Sequence, residues 1–165
     1  MSVSATLCSY LDNQACNYDT LEHDYTVSAL DSAHRAAIPV TQMVKAVVIQ
    51  QDKKFTIAAV PAMNKVMLPQ LAAITGSPAV LAKEAEIKRI FGDCEAGAIP
   101  AIGQAYGIDV VWDDKLAEGA DLYIEGGDHR NLVHLNRQEF QQLMKNKAHG
   151  EISCAPEELY ELSHY

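Results

Sequence analysis

Two apolar runs, Met43-Val44-Lys45-Ala46-Val47-Val48-Ile49 and Phe55-Thr56-Ile57-Ala58-Ala59-Val60, constrain the fold more than any other part of this chain. Both are rich in β-branched residues and too short for helices of their own. The stretch between them, Gln50 to Lys54, is polar and leaves room only for a tight reversal, so the pair predicts an antiparallel hairpin. Pro61 ends the second strand because it cannot donate to a ladder.

Helical and strand signals alternate around this hairpin. Val3, Leu7, Tyr10 and Leu11 predict an amphipathic helix over residues 3–15, and Tyr18 to His23 a strand. Ser28 to Ala37 reads as a helix closed before Pro39. Leu68 to Thr75 and Lys83 to Phe91 read as helices ended by Gly76 and Gly92, with a short strand at Ala79-Val80-Leu81 between them. Ile108 to Trp112, Asp121 to Glu125 and Leu132 to Leu135 are strand-like. Asn136-x-x-Glu139 is a capping box that opens a helix running to Lys147. The order predicts one α/β domain over residues 1–150, its sheet mixed but mostly antiparallel and surrounded by helices, with an acidic tail over 151–165.

Charge narrows the function. The chain carries 22 acids and 13 lysines and arginines, a net −9. The last 15 residues hold four acids and no base, so the remainder has 18 acids against 13 bases and is still acidic, at −5. A grip on a long stretch of DNA or RNA through its phosphates is therefore not expected, while recognition of one end of an RNA in a small pocket is compatible. No apolar run approaches the ~20 residues of a membrane helix, and the N-terminus lacks the basic start and apolar core of a signal peptide. The expectation is a cytoplasmic protein with no membrane contact. Cys8, Cys16, Cys94 and Cys154 form no C-x-x-C pair, and the six histidines form no H-E-x-x-H, so no metal site and no cofactor are predicted. The phosphate, dinucleotide and serine-elbow signatures G-x-x-x-x-G-K-[ST], G-x-G-x-x-G and G-x-S-x-G are also missing.

Gly97-Ala98-Ile99-Pro100-Ala101-Ile102-Gly103 carries no charge, hydroxyl or thiol, yet two glycines and a proline fix its backbone. It is either a structural turn or a loop whose N–H and C=O groups face a ligand. Lys45 interrupts an apolar strand. The plain reading is a lysine on a wet face; the sharper one is an ammonium at the edge of a pocket, where a compact charge with three donors can hold an anion or a carbonyl oxygen. His129, after Gly126-Gly127-Asp128, is either solvated in its turn or a hydrogen-bonding group at a site. His23 has the same two readings. Asp109, Asp113 and Asp114 can pair as acid and base or simply shape a loop, and Cys94 lacks a close base to activate its thiol.

Taken in order, Lys45-Ala46-Val47-Val48-Ile49, Gly97-Ala98-Ile99-Pro100, Val110-Val111-Trp112-Asp113-Asp114 and Tyr123-Ile124-Glu125-Gly126-Gly127-Asp128-His129 resemble the YbaK/ProX family of aminoacyl-tRNA deacylases. That family is related to the editing insertion domain of bacterial prolyl-tRNA synthetases, and the similarity runs from about Tyr18 to Met144. The resemblance implies a YbaK-like fold and a trans-editing hydrolase that cleaves the ester of a mischarged aminoacyl-tRNA. The amino acid would be small, alanine, serine or cysteine, on a tRNA for proline. It implies that Lys45 orients the aminoacyl-ribose end and that Gly97 and its loop, with Ala98, Ile99 and Pro100, supply backbone contacts. Ala46, Gly127 and His129 join them as substrate-binding residues. The loop departs from the familiar G-x-x-x-P spelling, because Pro100 gives G-x-x-P. Ala46 stands where relatives often carry a polar residue, which implies an altered amino-acid preference. The implied partners are the acceptor end of the tRNA and a synthetase or elongation factor. Two other readings remain at this point: a non-catalytic module of the same fold binding an aminoacyl or nucleotide-like ligand, and a hydrolase of some other small ester.

Overall fold

A computed structural model describes residues 2–156 of the chain. Its first helix, α1 (Ala5–Asn13), starts where the Ser4 hydroxyl accepts the Leu7 N–H, and it buries Leu7 and Leu11. Strand β1 (Asp19–Glu22) leads to α2 (Ala29–Arg35), capped by the Ser28 hydroxyl on the Asp31 N–H. The predicted hairpin follows as β2 (Met43–Gln51) and β3 (Lys54–Pro61), antiparallel from Val44–Pro61 to Gln51–Lys54. The short β4 (Lys65–Val66) precedes α3 (Leu68–Thr75), which Gly76 terminates at φ +81°. Then come β5 (Val80–Leu81), α4 (Glu84–Ile90), β6 (Asp109–Asp113), β7 (Asp121–Glu125) and β8 (Asn131–Asn136).

Helix α5 (Arg137–Leu143) begins at the predicted cap, Asn136 Oδ1 accepting the Glu139 N–H, but stops four residues short of the expected Lys147. The chain turns there because β9 (Ala148–Gly150) is needed as a parallel partner of β6, a pairing between residues far apart in sequence. Past Gly150 the backbone stays in the fold: β10 (Ser153–Cys154) pairs with β4, and Ile152 and Ser153 are fully buried. Asp113 anchors this segment, its Oδ2 accepting from the Ile152 N–H and the Ser153 hydroxyl, which gives that strand-end acid a structural use. The acids at 157, 158 and 161 lie outside the described residues.

The main sheet runs β1-β8-β7-β2-β3-β6-β9, with β5 also on β2. Its β2–β7, β3–β6 and β6–β9 ladders are parallel and the others antiparallel. Alternate residues feed two sides. Val44, Val48, Ile57, Ala59, Val110 and Ile124 enter the larger core with Leu7, Phe91 and Phe140. Ile49, Ala58, Val60 and Val111 pack beneath Leu71 and Ile152, and Met43 packs with Ala29 and Ala33 of α2. Each large side chain buried this way is worth about 1.5–3 kcal/mol. Among the described residues no helix is long and apolar enough to cross a membrane.

One detail of the topology makes a site. On one side, β2 pairs with β7 only over Met43 and Val44, and with β5 only over Ile49 and Gln50. The two partners part between these points, and the ladder beside Lys45, Ala46 and Val47 is left open to a loop.

Candidate active site

The loop that meets this gap carries Gly97. Residues Glu95 to Ala98 form a turn closed by the Ala98 N–H on the Glu95 carbonyl, with Gly97 at φ +82° as the third residue. That position of a type II turn demands the left-handed region, which glycine occupies without penalty. The turn is clamped from behind by the segment after β7. The Glu95 N–H donates to the Gly127 carbonyl at 2.7 Å, and His129 Nε2 lies 2.5 Å from the Ala96 carbonyl. Gly127, at φ +108°, leaves room there for Cys94 Sγ and Ser4 Cβ. Asp128 holds the segment in shape by accepting the Arg130 and Asn131 N–H groups.

Between this loop, β2 and the start of α2 lies a cavity of about 240 Å³. Lys45, Ala46, Gly97 and Ile99 line it, with Val27, Ser28, Ala29 and Glu125 completing the wall. The structure thus brings Lys45 and Gly97, 52 positions apart, to one wall. Ala98 and Pro100 are buried beside the wall rather than on it. Gly127 and His129 also stand behind the loop; His129 is only 2% exposed, at φ +61°, and edge-on to Tyr25. Their contacts set the loop's position.

Lys45 is half-buried, and its ammonium donates to the Asn64 carbonyl at 2.5 Å. Burial pushes its pKa down, and the Lys65 ammonium acts in the same direction. The Asn64 side chain is itself held by Ser153, so the segment after Gly150 helps place the site lysine. Among the described residues, neither the Gly97 nor the Ile99 N–H has a hydrogen-bond partner, so both are available as donors. Cys94 is not on this wall, and burial pushes its thiol up to about 12, which removes the thiolate a nucleophile requires. The one hydroxyl on the wall, Ser28, is engaged as the α2 cap.

Sequence reasoning missed Glu125 as a site residue. It is 2% exposed; Oε1 accepts from the Ser32 hydroxyl at 2.6 Å, and Oε2 has no partner among the described residues. Burial raises its pKa from an ordinary 4.5 to about 7; the Ser32 bond opposes the rise and the Asp128 charge adds to it. The only sequence signal was an acid directly after the apolar run Leu122-Tyr123-Ile124. A carboxyl with a raised folded-state pKa stabilises the fold fully below the unfolded value, and that contribution is lost as pH rises through about 7. Glu125→Gln is therefore expected to lose less stability than the parent between pH 5 and pH 8, by on the order of 2 kcal/mol in urea titrations. Equal pH dependence in the two proteins would contradict the buried, proton-binding role.

A larger cavity, about 710 Å³, lies at the far end of the hairpin among Asp52, Lys53, Lys54 and Lys147. None of the buried unpartnered side-chain atoms among the described residues belongs to its wall, so the smaller cavity holds the better chemistry. Among the described residues no cluster of His, Cys, Asp and Glu is arranged to hold a metal ion.

The model of the aminoacyl-tRNA editing domain family matches residues 23–143. No curated protein matches the chain significantly. Among solved structures, a candidate trans-editing enzyme for prolyl-tRNA synthetase superposes with a TM-score of 0.77 at 19% identity, covering 92% of this chain and 97% of that one. The hypothetical protein APE2540 gives 0.81 at 16% identity, with 90% and 99% covered. A candidate signal transduction protein from Marinobacter aquaeolei VT8 gives 0.71 at 18% identity over 90% of this chain but only 30% of its own length, so the fold also occurs within a longer chain. At these identities the likeness is one of fold.

Proposed function

The chain belongs to the aminoacyl-tRNA editing domain family, and from that premise we propose that it is a cytoplasmic trans-editing hydrolase acting on a tRNA wrongly charged with a small amino acid. One observation carries the reading: Lys45 and the Gly97 loop, remote in sequence, meet across a cavity sized for a small aminoacyl group. In the proposed reaction water adds to the ester carbonyl, the acyl C–O bond breaks, and the ribose hydroxyl leaves with a proton. An aminoacyl ester is already activated, so the protein's task is to position it and stabilise the oxyanion. The Gly97 and Ile99 N–H groups are suited to the oxyanion and Lys45 to the aminoacyl-ribose end. No covalent nucleophile is invoked, in keeping with the state of Cys94 and Ser28. Tyr25 and Val27, 48% and 68% exposed, offer apolar surface near the cavity for the terminal base, since RNA ends are commonly recognised by stacking.

The wall formed by Val27, Ala29, Ala46 and Ile99 is apolar. These four side chains favour an alanyl methyl and offer a seryl hydroxyl no partner, which leaves that hydroxyl to compete for Ser28 or Glu125. The test is deacylation of tRNA for proline charged with alanine, serine or cysteine. Turnover is expected, with alanyl preferred over seryl by about tenfold. Tight binding without turnover on all three would favour instead the non-catalytic module. The acidic body leaves few phosphate contacts, so a synthetase or elongation factor is the proposed means of delivering the tRNA.

A further inference from the structure

Glu125 has no use in the mechanism above, yet it is the buried charge-bearing group of the cavity wall with an unsatisfied oxygen. The parallel ladder ends where Val44 pairs with Ile124, and the next residue of each strand, Lys45 and Glu125, lines the cavity that opens there. Nevertheless the two do not pair: the Lys45 ammonium is committed to the Asn64 carbonyl, and among the described residues Glu125 accepts only from Ser32. A ligand that offers a cation to Glu125 and, three bonds away, a carbonyl oxygen to Lys45 or the loop N–H groups satisfies both walls. An α-amino acid ester has that arrangement, because its ammonium and its carbonyl flank one carbon.

We propose that Glu125 reads the α-ammonium of the substrate, making this a site for esters of free α-amino acids and not for their hydroxy-acid counterparts. This rests on the deacylase reading and deepens it. Burying a carboxylate without a cation is costly, and the substrate supplies the missing partner. Specificity of this kind is expected, because a hydroxyl in the place of the ammonium can donate a hydrogen bond to the acid but brings no charge to offset its burial. Ser32, itself backed by the Thr26 hydroxyl at 2.7 Å, is the positioning residue that aims the carboxylate.

The experiment compares alanyl-tRNA with lactyl-tRNA, in which a hydroxyl replaces the ammonium at nearly constant size, each rate being divided by its spontaneous hydrolysis. The parent protein is expected to prefer the alanyl ester by at least tenfold. Glu125→Gln is expected to lose that preference through the alanyl rate alone, leaving the lactyl rate within about twofold. Equal acceleration of both esters by the parent, or a preference retained in Glu125→Gln, overturns the proposal while leaving the deacylase standing. If neither ester is turned over, the deacylase reading fails, and NMR titration with the stable alanyl and lactyl amides of 3′-amino-3′-deoxyadenosine decides separately. There, tighter binding of the alanyl amide that disappears in Glu125→Gln supports the assignment, and equal binding ends it.

Discussion

Replacing Lys45 with alanine is expected to lower deacylation by about 10²–10³-fold, corresponding to roughly 3–4 kcal/mol of transition-state stabilisation. The size of the effect follows from where the ammonium sits. Half-buried beside an apolar wall, it acts through a lower effective dielectric than an exposed lysine would. Stability should change by less than about 1 kcal/mol, because burial already disfavours the charged form in the folded protein. Asn64 keeps its side-chain bond to Ser153, so the neighbouring backbone stays in place. Lys45→Arg should not restore activity, since a planar guanidinium cannot replace a compact ammonium at the Asn64 carbonyl. Single-turnover deacylation, with urea unfolding of the same samples, tests this. Alanine-variant activity within threefold of the parent would remove Lys45 from the mechanism.

Gly97→Val should be nearly as damaging, for a different reason. At φ +82° any L-residue pays about 1–2 kcal/mol, and a β-branched one more. A Cβ there would also sit 3.1 Å from the Val27 carbonyl oxygen and 3.2 Å from His129 Cε1. Neither neighbour can yield easily: Val27 is backbone, and His129 is held against the Ala96 carbonyl and Tyr25. The loop must shift, and a misplacement near 1 Å costs about 10²-fold in rate. The expected result is a loss of 2–3 kcal/mol in urea unfolding, as an order of magnitude, together with at least that loss of activity. Unchanged kcat at reduced stability would show that the loop is only a structural turn. Gly97→Ala, with the same φ but less bulk, should fall between the two.

The elements of the fold were legible where local physics decides them. The hairpin, the Asn136 cap and the Gly76 stop rest on periodicity, side-chain capping and left-handed backbone, all of which act within a few residues. Strands β4, β9 and β10 were not legible. Each has two or three residues, and their partners lie far away in sequence, so no local pattern marks them. The same limit explains the overlong α5 prediction, because a helical preference past Leu143 yields to the pairing of β9 with β6.

The site divides along the same line. By itself the sequence determined that a lone lysine interrupts an apolar strand and that a glycine-bracketed loop carries no reactive side chain. Both follow from residue type and spacing. Only the tertiary structure decided that these features share one cavity, that Gly127 and His129 brace the loop from behind, and that Glu125 is left with an unpaired oxygen. Burial and desolvation are properties of what packs around a group. The splitting of β2 between β7 and β5, which opens the cavity, is a matter of sheet topology that no single segment encodes.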